Sequence, residues 1–280
     1  MMFLLVVAIC LLLSSFQAQS RYTEDIFEKS SEEIDNSSGQ VDKSVTAIIE
    51  RTNKYAGQGL NEPSIMFGDI AVSTGLEIAG PCTARGCKWQ RSKSGQVLVP
   101  YVISDEYSSR EKDVIFQGLR SFEKSTCIRF MPRTNQRDYI SIESNSGCYS
   151  FVGRRIGGQT VSLDRTGCIS LNIVQHELLH TLGFHHEHNR SDRDNHVQIL
   201  LKNIIPGQEQ NFDKIKTNNL ETAYDYNSVM HYGRFAFSKN REPTIIPIPD
   251  GIMSIGRAEK MSSNDILRVN RLYCSPSFSY

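Results

Sequence analysis

His176-Glu177-Leu178-Leu179-His180-Thr181-Leu182-Gly183-Phe184-His185-His186 decides how this chain is read. On a helix, residues four apart share a face. His176 and His180 therefore point the same way, and their neutral ring nitrogens can grip one zinc ion at about 2.0–2.1 Å. Glu177 stands beside them on the rim. Gly183 can adopt the positive φ that ends a helix and turns the chain back, which brings His186 round as a third ligand. Three protein ligands and an open fourth position make a catalytic zinc, whereas a structural zinc is normally closed by four.

A lone histidine on an apolar face is most often a satisfied core residue, and H-E-x-x-H by itself carries a real false-positive risk. The glycine seven residues and the histidine ten residues after His176, with a Met segment downstream, match the longer metzincin signature. In that reading zinc lowers the pKa of its bound water from about 15.7 towards 7 and polarises the scissile carbonyl. Glu177 is the general base that takes the water's proton and later gives it to the leaving amine.

The 280 residues carry 31 basic and 31 acidic side chains, enough chain for one large domain or two small ones. The zero net charge hides an asymmetry. Residues 21–77 hold 11 acidic and 5 basic residues, a net of −6, so the remainder carries +6. A negative front segment and a positive body suggest an inhibitory pairing. No basic run is interleaved with stacking aromatics, so nucleic acid is not an expected partner. The apolar run at residues 3–13 is too short to span a bilayer comfortably. With Ala18 and Ser20 ahead of Arg21 it reads as a signal peptide over residues 1–20, which predicts a secreted protein. No other stretch is apolar enough to cross a membrane.

Removing Cys10 with the signal leaves Cys82, Cys87, Cys127, Cys148, Cys168 and Cys274. An even number in a secreted chain argues for three disulfides, and none has the paired C-x-x-C spacing of a zinc site. Residues 21–77 read as a removable pro-segment with a short helix near 41–51, and residues 78–280 as the catalytic domain. Strands are expected at 97–103, where Pro100 favours an edge or strand end, and at 128–130, 139–142, 151–152 and 160–163. Ser108 and Glu111 form a capping box for a helix whose apolar face is Val114, Ile115, Gly118, Leu119 and Phe122. A last helix at 262–273 has Asp265 three residues after Ser262 and an apolar face of Ile266, Leu267, Val269, Leu272 and Tyr273. The fold class is α+β: an upper half with a mixed sheet and the zinc helix, a mostly irregular lower half with a C-terminal helix, and a groove between them for an extended protein or peptide substrate.

His176 to His186 continues as Glu187-His188-Asn189-Arg190-Ser191-Asp192-Arg193, and Ser228-Val229-Met230-His231-Tyr232 follows. These stretches resemble the astacin family of metalloendopeptidases, over about residues 62–274. The resemblance implies a zincin-like two-subdomain fold and a Met-turn in which Met230 is the apolar floor beneath the metal. It implies Tyr232 as a fifth zinc ligand that swings away to stabilise the tetrahedral intermediate, and Glu187 as the residue reached by the buried amino terminus of the mature enzyme. That terminus is expected at Ile78, although no Lys or Arg precedes the bond. Phe67-Gly68-Asp69 looks like the family's aspartate switch, with Asp69 as zinc ligand in the zymogen only. The family pattern pairs Cys127 with Cys274 and Cys148 with Cys168, and the extra pair Cys82 and Cys87 resembles the six-cysteine branch of fish hatching enzymes and nephrosin.

Zinc is thus the expected cofactor, a protein substrate and the chain's own pro-segment the expected partners, and the activating protease is not legible. His185, His188, His196 and His231 read as surface or supporting histidines, Asn36 and Asn189 as N-x-S sequons, and Arg234 as a preference for acidic residues after the cleaved bond. The competing function is a catalytically silent binding protein on the same scaffold. Within the enzyme reading, egg-envelope digestion and tissue or immune proteolysis predict the same site.

Overall fold

The computed structural model describes residues 42–59, 62–73 and 87–274. The expected signal peptide, residues 21–41 with Asn36, the Glu77–Ile78 bond and Cys82 with its expected pairing lie outside the described residues. From Lys43 onward the chain belongs to one unit. Its elements are α1 (Val45–Thr52), β1 (Ser64–Met66), β2 (Ile70–Val72), β3 (Val97–Ile103), α2 (Ser109–Glu123), β4 (Ile128–Pro132), β5 (Tyr139–Glu143), β6 (Cys148–Ser150), β7 (Gly158–Leu163), α3 (Leu171–Thr181), β8 (Val197–Ile199), β9 (Ile245–Pro247) and α4 (Ser263–Val269), the last running into one π-helical turn (Asn270–Cys274).

Seven strands form one mixed sheet in the order β1-β2-β6-β7-β5-β3-β4. β3 runs parallel to β4 and β5, and β5 parallel to β7, while β6 turns antiparallel to β7. The expectation that Pro100 marks an edge strand or strand end is overturned, because β3 is an inner strand. The register gives the reason. Residues 97–101 pair with β4, and pairing with β5 begins only at Tyr101, so the missing N–H falls where one flank alone is bonded. The strand expected at 151–152 lies instead at Cys148–Ser150.

Helix α2 starts with the capping box read from sequence: Ser108 Oγ accepts from Glu111 N, and the Glu111 carboxylate accepts from Ser108 N at 2.7 Å. Its buried face of Ile115, Leu119 and Phe122 packs with Ile128, Ile140, Ile142, Val161 and Leu178 in the main core, each such side chain contributing roughly 1.5–3 kcal/mol. Gly118 lets α2 lie close against α3, since a Cβ there would come within 2.3 Å of Val174 Cγ1.

The lower half is mostly loop and 3-10 turn, as expected, yet it holds a second sheet in which β8 pairs antiparallel with β9. Its core gathers Phe212, Tyr232, Phe237, Ile245 and Ile255. On α4 the capping box Ser262–Asp265 forms, while Leu267, expected on the apolar face, is exposed. The two described disulfides are Cys127–Cys274, which ties the end of the last helix to β4, and Cys148–Cys168, which ties β6 to the segment before α3. No helix among the described residues is long and apolar enough to cross a membrane.

Candidate active site

Helix α3 is buried from Ile173 to Thr181, so its polar side chains must find partners inside the protein. It ends in a Schellman turn: Gly183 takes φ 98°, its N–H donates to His180 O at 2.8 Å, and Phe184 N donates to Leu179 O at 3.0 Å. Trp89 Nε1 and Tyr273 OH fill the carbonyls of Thr181 and Leu182, each at 2.8 Å. The turn also fixes a tautomer, because the freed Phe184 carbonyl accepts from His180 Nδ1 at 2.7 Å. Val229 O likewise accepts from His176 Nδ1 at 2.8 Å.

A carbonyl can only accept, so both Nδ1 atoms carry hydrogen, the tautomer in which Nε2 is the nitrogen left to face a metal. Those Nε2 atoms lie 3.2 Å apart, and His186 Nε2 is 3.3 Å from that of His176. All three rings are buried. Burial holds His180 down to about 4 and lowers His186 as well, which keeps these two rings neutral at pH 7. The Asp69 carboxylate closes the group, with Oδ2 2.9 Å from His176 Nε2 and Oδ1 3.0 and 3.3 Å from those of His186 and His180. Burial alone would raise Asp69, but the positive charge that the three facing imidazoles carry when protonated lowers it well below the ordinary carboxylate range. Lone pairs converging at this range in a dry interior repel one another unless a cation lies among them, and neutral imidazole nitrogens with one carboxylate oxygen are donors that suit zinc. The four residues meet the geometric requirement for a metal site.

Glu177 adjoins this group and is fully buried, with neither carboxylate oxygen bonded to any described residue. Burial, and next the charge of Asp69, push its carboxyl well up. On the other side Tyr232 stacks on His188 at 3.8 Å between ring centres and donates its hydroxyl to Phe67 O at 2.6 Å. Burial, then Asp69 and Glu50, push this phenol well up, so it remains a neutral donor. Met230 is buried beside the group, and its carbonyl accepts from Glu187 N at 3.0 Å. Glu187 itself is taken up by Arg268, Arg190 and the Asp225 N–H.

The sequence pattern of the astacin peptidase family matches residues 85–274. The chain belongs to the astacin family. Zinc is the cofactor of this family of endopeptidases, and the Asp69/His176/His180/His186 group fits it. The low choriolytic enzyme of Oryzias latipes is 47% identical over 270 residues, 95% of this chain and 96% of that protein. The astacin-like metalloendopeptidase of Gallus gallus is 41% identical over 255 residues, 90% of this chain and 60% of that protein. Among solved structures, high choriolytic enzyme 1, a hatching enzyme zinc-protease from the same medaka fish, superposes with a TM-score of 0.66 at 48% identity, covering 71% of this chain and 98% of that one.

Several residues of this astacin's site are not legible in the sequence. Asp265 reads there only as a helix cap, yet it also accepts from Ser228 Oγ and Val229 N at 2.6 and 3.0 Å, fixing the loop whose carbonyl orients His176. Of the two positions read for His188 and His231, surface or supporting, the structure gives the supporting one: both are buried. His188 is bonded to Asn211 O, and His231 lies between Tyr224 OH and Tyr232 O. Asn189 is also buried, and its Nδ2, the atom a glycan would occupy, donates to Asn211 O and Asp213 O. That sequon is closed to modification in the folded chain. Arg234 donates to Gly251 O.

Proposed function

We propose that this astacin is a secreted endopeptidase made as a latent precursor, with residues 1–20 as signal, 21–77 as removable pro-segment and 78–280 as catalytic domain. The observation that carries the reading is the Asp69 carboxylate set among the three imidazole nitrogens, where a substrate's reacting group would have to sit. Three further contacts support it. Strand β2 lies parallel beside β6, with Ser150 N donating to Asp69 O at 3.1 Å, and so covers the edge along which an extended peptide would add. Asn53 binds β6 in the manner of a peptide unit: Nδ2 donates to Cys148 O at 2.7 Å and to Gly68 O at 2.8 Å, and Oδ1 accepts from Cys148 N at 2.7 Å. The Phe67 carbonyl occupies the Tyr232 hydroxyl.

Zinc held by His176, His180 and His186 supplies an acidified water and a polarising charge for the scissile carbonyl. With Asp69 removed, the unpartnered Glu177 carboxylate accepts the proton of the attacking water and passes it to the leaving amine nitrogen. Tyr232, released from Phe67 O, donates its hydroxyl to the oxyanion that develops on the substrate. Substrates are extracellular proteins in extended conformation, and the choriolytic relatives favour those of an egg envelope. The test is cleavage of casein and of isolated egg envelopes by full-length chain before and after limited proteolysis, with and without chelator. Chelator-sensitive cleavage only after trimming is expected; trimmed, zinc-loaded chain that cleaves nothing would leave the silent scaffold.

A further inference from the structure

Phe67 and Ile70, on either side of Asp69, are buried in a small apolar cluster of their own, joined by Met66 and Val72. Only two members of this cluster come from beyond residue 73: Val152 and Ile215. Each is tied through the backbone to a segment that carries a metal ligand. Val152 precedes Gly153, whose N–H donates to His180 O at 2.8 Å, and Ile215 N donates to Asn189 O at 2.8 Å, three residues past His186. Departure of residues 64–72 would strip both side chains of their apolar cover beside the reacting centre, and an exposed apolar pair in a cleft is recovered most directly by another apolar side chain.

We propose that Val152 and Ile215 form a specificity subsite that takes an aromatic or branched aliphatic side chain lying within two residues of the cleaved bond, the place Phe67 and Ile70 hold in the precursor. The inference rests on the endopeptidase reading above and adds to it a substrate class. Pocket recognition of this kind gains about 10-fold or more per methylene group buried, so a Phe against Ala contrast is readable as a ratio within one protein. The Ser73 hydroxyl accepts from exposed Arg155 at 2.6 Å, so polar contacts resume immediately beyond the cluster and confine the apolar demand to these positions.

Full-length protein activated by limited proteolysis is given a peptide library, and kcat/KM is compared for matched peptides carrying Phe, Ile, Ala or Asp at each position flanking the cleaved bond. The expected result is at least about a tenfold preference for Phe or Ile over Ala at one flanking position. That preference should fall towards unity in Ile215→Lys and survive in Ile215→Val. Cleavage with no apolar preference, or with a preference unmoved by Ile215→Lys, overturns the subsite while leaving the endopeptidase intact. Absence of any cleavage overturns both. Independently of folding in the variants, a peptide of residues 64–73 should inhibit the activated wild-type protein at least tenfold better than its Phe67→Asp counterpart, and equal inhibition counts against the subsite.

Discussion

Arg268 on α4 grips the carboxylate of Glu187, the residue after His186, through both terminal guanidinium nitrogens, with Nη2 at 2.8 Å. The same side chain donates to Thr222 Oγ1 and Ala223 O, so one guanidinium joins the last helix, the loop leading to Met230 and the zinc loop. The C-terminal end of that helix is held in turn by Cys127–Cys274. A distant element thus fixes where His186 stands.

Removing one member of such a pair leaves a buried charge uncompensated, whereas removing both does not. Arg268→Met should destabilise the full-length chain by about 3–5 kcal/mol, since Arg190 at 3.3 Å offers only a longer contact. The double variant Glu187→Gln/Arg268→Met should lose less than the single one. Urea unfolding of the three proteins checks both statements, and a double variant no better than the single would remove the electrostatic explanation.

Asp69→Ala should produce a precursor that cleaves peptide before trimming. The β2–β6 pairing and the Asn53 contacts remain in that variant, so leaky rather than full activity is expected. Time courses of untrimmed protein measure it. Complete latency would assign inhibition to the covered sheet edge alone.

Glu177→Gln should retain zinc, because its carboxylate holds no described partner to lose, and should lower turnover by about 10²–10⁴ as the proton acceptor disappears. Tyr232→Phe should cost about 10²–10³ in kcat, again with metal retained. In the precursor it also removes the hydroxyl bonded to Phe67 O, so faster activation is expected alongside the slower chemistry. Metal analysis with single-turnover rates separates the two effects.

What is legible in advance follows the range of the physical signal. The zinc motif, the capping box at Ser108 and the strand at Val97–Ile103 are written in short-range spacing, and sequence suffices for them. The second role of Asp265, the grip of Arg268 and the burial of His188 arise from contacts across the whole fold, with no local periodicity to announce them. Pro100 misleads because strand propensity does not encode how far each neighbour extends. Asn53 has no signal either, since an amide that imitates a peptide bond looks in sequence like any turn residue.

Glu111 offers a titration that the metal group does not complicate. Hydrogen bonds from Arg165 first, and then from the Ser108 hydroxyl and N–H, lower its carboxyl from the ordinary 4.5 to about 2. A carboxylate depressed in the folded state contributes stability that is complete above its unfolded value and is lost as pH falls towards the folded one. Glu111→Gln keeps an acceptor for Ser108 N and so the capping box, while losing the charge that faces Arg165. Wild type should therefore melt higher than Glu111→Gln by a constant margin above pH 4.5, with that margin closing as pH drops towards 2. Asp138, Asp164, Asp192 and Asp194 are lowered too, but they titrate alike in both proteins and cancel in the difference. A margin that persists undiminished at pH 2 would trace the loss to cap geometry instead of charge.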